Sequence, residues 1–103
     1  MKTVVGRSRS LTLQLQAMPN PMIDHALLQF DLPQEGAVNL RVYDSAGRLR
    51  ASLVNESLAA GSHQRLWNAT DDEGQPLSGG IYFLQLETPS TWIRHRMVVI
   101  RQV

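Results

Sequence analysis

Cysteine is absent from the chain. That excludes disulfides, thiolate zinc sites and cysteine nucleophiles, and it leaves the redox compartment open. Long apolar runs are also missing: nothing approaches the ~20 residues needed to cross a bilayer as a helix. The opening "MKTVVGRSRS" has a charged start but lacks the apolar stretch of a signal peptide, so any export address lies elsewhere. Charge of one sign does not accumulate. Ten basic residues stand against nine acids for a net charge of +1, and no three basic residues are consecutive, so no footprint for nucleic acid stands out. A sustained helical period is lacking too; "NESLAAG" at 55–61 has room for one turn at most.

What the chain does have is a repeated two-residue period. With 103 residues, 43% hydrophobic and 18% charged, it suits one globular domain and not a disordered or low-complexity segment. Residues 1–10 are polar and read as a linker or expression remnant, with the domain spanning 11–103. Leu11, Leu13 and Leu15 alternate with polar residues as a first strand, which "PNP" at 19–21 interrupts. "HALLQFDL" at 25–32 and "AVNLRVYD" at 37–44 alternate cleanly. "DSAG" then predicts a tight reversal into "RLRASLV", with Leu49, Ala51 and Leu53 inward. A fifth strand runs from Ser62 to Asn68 with Trp67 inside, and "GIYFLQLE" and "TWIRHRMVVI" form a closing hairpin. About seven short strands joined by turn residues indicate an all-β fold, an immunoglobulin-like antiparallel β-sandwich.

The residues most open to a chemical reading lie in "LWNATDDEGQPLSGGIYF", residues 66–83, where Asp71, Asp72 and Glu73 are consecutive. An EF-hand loop needs glycine at its sixth position; with Gly74 there, Ala69 and Gly80 fall where carboxylates are required, so the match fails. A calcium site of irregular form, using Asp71, Asp72 or Glu73, is the alternative reading, because hard cations accept irregular oxygen cages. A glycosidase pair needs carboxylates facing across a substrate, which neighbours in a turn do not provide. His25, His63 and His95 show no metal-ligand spacing, and no serine lies in a GxSxG elbow. Trp67 and Tyr82 sit in apolar strands and belong to the core. Trp92 and Tyr43 are the candidates for an exposed platform that binds glycans weakly. No catalytic residue, metal ligand or cofactor is implied.

Read in order, "AMPNP" (17–21), "LRVYDSAGRLR" (40–50), "AGSHQRLWNATDDEGQPLSGGIYFLQL" (60–86) and "RMVVI" (96–100) form a series. It resembles the C-terminal sorting domains of type IX secretion substrates and the related immunoglobulin-like domain of flagellar hook-capping proteins. The resemblance covers about residues 17–101 and rests on Pro19, Asn20, Pro21, Tyr43, Asp44, Gly47, Gly61, Trp67, Gly74, Gly80 and Tyr82. Most of these have evident structural roles: Pro19–Pro21 as a stiff crossing, Tyr43, Asp44 and Gly47 in a hairpin, and Gly80 allowing close backbone approach before Tyr82. Asn68–Ala69 departs from the family's usual Asp-Gly, Arg65 replaces a more usual apolar residue, and "SGGIY" carries an extra glycine.

The resemblance implies a non-catalytic module at the end of a larger exported protein, secreted or held at a bacterial cell surface. Its partners would be outer-membrane secretion machinery or neighbouring domains of the parent protein. The final strand, here Arg96, Met97, Val98, Val99, Ile100 and Arg101, would carry recognition. A structural assembly role, as in hook capping, and a carbohydrate-binding role are the alternatives.

Overall fold

Two antiparallel sheets account for the strand pattern. The structure, a computed structural model, describes residues 12–101. Its elements are β1 (Gln14–Met18), β2 (Ala26–Leu32), β3 (Gly36–Asp44), β4 (Leu49–Leu58), β5 (Gly61–Trp67), β6 (Gly80–Glu87) and β7 (Trp92–Val99). One sheet has the order β1-β2-β5 and the other β4-β3-β6-β7. This is the immunoglobulin-like sandwich expected, with no helix among the described residues. The expected linker at 1–10 and Leu11 lie outside those residues.

Alternation places the core between the sheets. Ala26, Leu28, Phe30 and Leu32 of β2 are buried, as are Val38, Leu40 and Val42 of β3 and Tyr82, Leu84 and Leu86 of β6. Burying each large apolar side chain contributes about 1.5–3 kcal/mol, so these alternate positions hold the two layers together. In β5, Trp67 points inward at 3% exposure and Leu66 outward at 64%, the phase expected from the sequence.

β4 departs from expectation in two ways. Its inward residues are Ala51 and Val54, three apart, while Leu53 is only half-buried and Leu49 is exposed. The cause lies in the register: Leu40 pairs with Val54 and Arg41 with Ser52, so Leu53 is the extra residue of a bulge. The strand also continues through Leu58, so "NES" at 55–57 is extended and not the start of a helical turn. Ladder pairing of Ala37 with Ser57 and Val38 with Glu56 outweighs its weak β propensity.

One ion pair links the two sheets at a flank, and a ring stack reinforces the β2–β5 pairing. On the β4–β5 side, Arg65 reaches Glu56 at 3.5 Å. His63 lies directly opposite Phe30, with their rings stacked at 5.4 Å between centroids.

Candidate interaction surface

The acidic stretch is consumed by its own fold. Asp71 Oδ1 accepts the amides of Glu73 and Gln75, both at 2.9 Å, and its carbonyl accepts the Gly74 amide at 3.0 Å. Gly74 closes this turn at φ 82°, a conformation that disfavours other residues. Asp72 Oδ1 accepts the Ser52 amide at 2.9 Å, fastening the loop to the bulge of β4. The flanking aromatics are buried and satisfied within the connection: Trp67 Nε1 donates to the Thr70 carbonyl at 3.1 Å and Tyr82 Oη to the Ser78 carbonyl at 2.6 Å. Two of the three acids therefore act as acceptors for loop and strand amides.

Asp44 does the same work in the β3–β4 hairpin. One oxygen accepts the Ala46 and Arg48 amides at 2.9 Å each; the other meets Arg48 Nε at 2.9 Å and Arg50 at 3.4 Å. The Arg48 amide, helped by the Ala46 amide and the Arg48 guanidinium, holds the carboxyl below its ordinary value against an opposing cost of desolvation. Gly47 turns the chain at φ 85°.

The glycine that permits close approach is Gly79, not Gly80. A side chain there would meet the Val99 carbonyl oxygen at 3.2 Å and the Arg101 amide at 3.3 Å, whereas Gly80 has open space around it. Of the two glycines in "SGGIY", Gly79 is thus the one against which the end of β7 and Arg101 pack. Arg101 completes this corner, donating from Nε to the Leu77 carbonyl at 2.8 Å and from Nη2 to the Ala69 carbonyl at 2.7 Å.

The histidines do not converge on a ligand. His25 is exposed, His63 covers Phe30 and contacts the Ala59 carbonyl, and His95 is half-buried on β7. Among the described residues no group of three or more His, Asp and Glu is arranged to hold a metal ion. A cavity of about 130 Å³ at one end of the sandwich is bounded by the β2–β3 and β6–β7 turns, with Glu35 as its lone titratable lining residue. An acid–base pair has no second member there.

The expected aromatic platform is split. Trp92 is 55% exposed, but Tyr43 is half-buried. Trp92 pairs across β6 with Glu87 and Tyr43 with Phe83, which sets the two aromatics about four residues, or ~13 Å, apart along the strands. Arg94 occupies the space between: its guanidinium lies 5.4 Å from the Trp92 ring centroid and 5.6 Å from that of Phe83, and it donates twice to Gln85 Oε1. Glu87, the carboxylate on this face, is engaged by Arg41 at 3.2 Å.

β7 closes one edge of its sheet, and the chain covers that edge in part. Asn20 donates from Nδ2 to the Arg96 carbonyl at 2.8 Å and accepts the Val98 amide on Oδ1 at 3.0 Å. Its carboxamide thereby stands where one peptide unit of a neighbouring strand would stand. Met22 continues the pairing, donating to the Val98 carbonyl and accepting the Ile100 amide, each at 2.9 Å. The crossing expected of Pro19–Pro21 is therefore also an edge clamp. Of the final-strand residues singled out above, Met97 and Val99 are core, Arg101 is tied into the 69–77 loop, and Arg96, Val98 and Ile100 face outward. Neither the Asn20 bonds nor the Asp72 bond could be found from spacing: Asn20 and Val98 are 78 residues apart, and Asp72 and Ser52 are 20 apart.

Comparison with known proteins places this geometry. The sequence profile of the FlgD Ig-like domain matches residues 24–91. No curated protein sequence matches the chain. Among solved structures, PorZ of Porphyromonas gingivalis, described as an essential bacterial surface component of the type IX secretion system, superposes with a TM-score of 0.57 at 22% identity over 84% of the chain. Dimeric latent PorU of the same organism superposes with a TM-score of 0.66 at 20% identity over 98% of the chain. FlgD of P. aeruginosa gives a TM-score of 0.57 at 24% identity over 73% of the chain. The chain spans 11% of the PorZ chain, 10% of the PorU chain and 58% of the FlgD chain. At these identities the likeness is one of fold.

Proposed function

The chain belongs to the FlgD Ig-like domain family, and on that premise we propose that it is a non-catalytic accessory domain of a larger exported protein, a sorting and surface-anchoring module of the type IX kind. The observation that supports this reading most is the placement of the final strand. The side chains of Arg96 and Val98 in β7, and of Ile100 just past it, face outward, so the outer face of the segment marked by the family resemblance is reachable by a protein partner while Asn20 and Met22 occupy its backbone edge. Of the three acids most open to a chemical reading, Asp71 and Asp72 are instead occupied by backbone amides. The test is export. A reporter fused ahead of residues 11–103 is expected at the surface of a type IX-competent bacterium, and retention of a well-folded fusion inside the cell overturns the reading.

A structural assembly role is the second reading, and the family match itself favours it. Here the sandwich spaces or orients neighbouring subunits. A parent gene set among flagellar genes supports assembly; a large hydrolase or adhesin encoded upstream of the domain supports sorting.

A further inference from the structure

We propose that the half of the β7 edge left unpaired by the described residues, Trp92–Arg96, takes up an extended acidic segment of a partner protein as an additional strand. This deepens the reading of the domain as a protein-binding module and rests on it.

The geometry begins with the clamp. The bonds made by Asn20 and Met22 reach the Arg96 carbonyl, both polar groups of Val98 and the Ile100 amide. In an antiparallel strand, residues two apart turn their backbone groups to the same side, so the Arg96 amide and both groups of Arg94 and Trp92 also point to this edge. β6 occupies the opposite side of β7, and no described backbone group pairs with these five. The edge is therefore competent for strand-like pairing, since Asn20 and Met22 already pair with it; among the described residues that pairing ends at the Arg96 carbonyl, and β1, which leads into Asn20, packs beside β7 while bonding to β2.

Charge selects the occupant. Side chains at 92, 94 and 96 lie on the outer face of the sheet, where Arg94 and Arg96 are exposed and form no ion pair among the described residues. A second copy pairing antiparallel through this edge would set arginines against arginines, which disfavours self-association. The N-terminal residues 1–11 are no better matched: they carry Lys2, Arg7 and Arg9 and no acid. A partner strand with Glu or Asp at alternate positions matches Arg94 and Arg96, and the cross-strand ion pairs fix its register.

The probe is a capped eight-residue peptide alternating Glu with Thr and Val, added to the ¹⁵N-labelled full chain. Amide exchange at Arg94 and Arg96 is expected to slow, while the Val98 amide, already held by Asn20, keeps its protection. Binding is expected to weaken about tenfold with Gln in place of Glu or with Arg94→Glu/Arg96→Glu, and to fall as salt rises from about 0.01 to 0.15 M. The same peptide N-methylated at alternate residues cannot pair and is expected to lose binding. Equal binding by the N-methylated peptide, protection elsewhere on the protein, or no binding at about millimolar peptide overturns the proposal.

The reporter fusion separates the two levels. Export of wild type and of Arg94→Glu/Arg96→Glu alike overturns the edge as the docking site and leaves the sorting role standing. Peptide pairing at the edge with no export of the wild-type fusion overturns the sorting role and leaves the edge standing.

Discussion

The Asp72 carboxylate accepts the Ser52 amide at 2.9 Å, at the position where the bulge of β4 interrupts its pairing with β3. A bulge leaves a backbone group without a ladder partner, and here a loop 20 residues away supplies one. Asp72→Ala removes that acceptor and is expected to lower stability by about 1 kcal/mol, the usual net worth of one hydrogen bond at a solvent-facing site. Asp72→Asn keeps an oxygen in place and is expected to lose less than half of that. Urea unfolding of both variants decides it; equal midpoints for Asp72→Ala and wild type would falsify the fastening role.

Acid should act through Asp44. Its folded carboxyl titrates below the ordinary value of 3.8 because the Arg48 amide leads a set of bonds to the ionised form. As pH falls, the unfolded chain takes up this proton first, so the contribution of Asp44 is complete above the ordinary value and is lost as pH drops through the folded one. Unfolding midpoints measured from pH 6 downward are expected to decline in that acid window, and Asp44→Asn is expected to flatten the decline. A variant with the same acid slope as wild type would show that other carboxylates carry it.

Much of this fold was legible because alternation and burial coincide. Ala26 to Leu32, Val38 to Val42 and Tyr82 to Leu86 each put one face in the core, so a period of two located β2, β3 and β6 within a residue or two. The second half of β4 was hidden because a bulge resets the phase between Ala51 and Val54, and a reader following alternation loses the strand at Leu53. The site was harder still. Asp71 and Gly74 show their turn locally, through the spacing of an acceptor and a residue that tolerates positive φ. Asn20 looks like an ordinary turn residue between prolines, and its partners Arg96 and Val98 become neighbours only once both sheets have formed.

Ala69 offers a gain in stability. It is a non-glycine residue at φ 57°, a conformation that favours glycine, and it is fully buried. Relief of the left-handed conformation is worth roughly 1–2 kcal/mol, and loss of one buried methyl costs about 0.8 kcal/mol. Ala69→Gly is therefore expected to stabilise the domain by up to about 1 kcal/mol. Ala69→Val is expected to destabilise it, because a branched side chain fits neither the backbone nor the enclosed space. Thermal melts of the two variants should move in opposite directions, and a lower melting temperature for Ala69→Gly would show that the buried methyl outweighs the backbone strain.

The clamp on β7 predicts a pattern of exchange and not only a loss of stability. Asn20→Ala removes one donor and one acceptor from the edge, exposing the Val98 amide and the Arg96 carbonyl to water. Two hydrogen bonds at a partly wet edge are worth about 1–2 kcal/mol together, small enough for the sandwich to remain folded. Exchange of the Val98 amide should then accelerate well beyond the global change. The Ile100 amide, bonded to the Met22 carbonyl, should follow it part of the way because Asn20 anchors the segment that carries Met22. Amides of β7 that face β6 should change only by the global amount. If Val98 and the β6-facing amides speed up equally, Asn20 contributes to overall stability alone, and the partition of this edge into a clamped half and an open half fails with it.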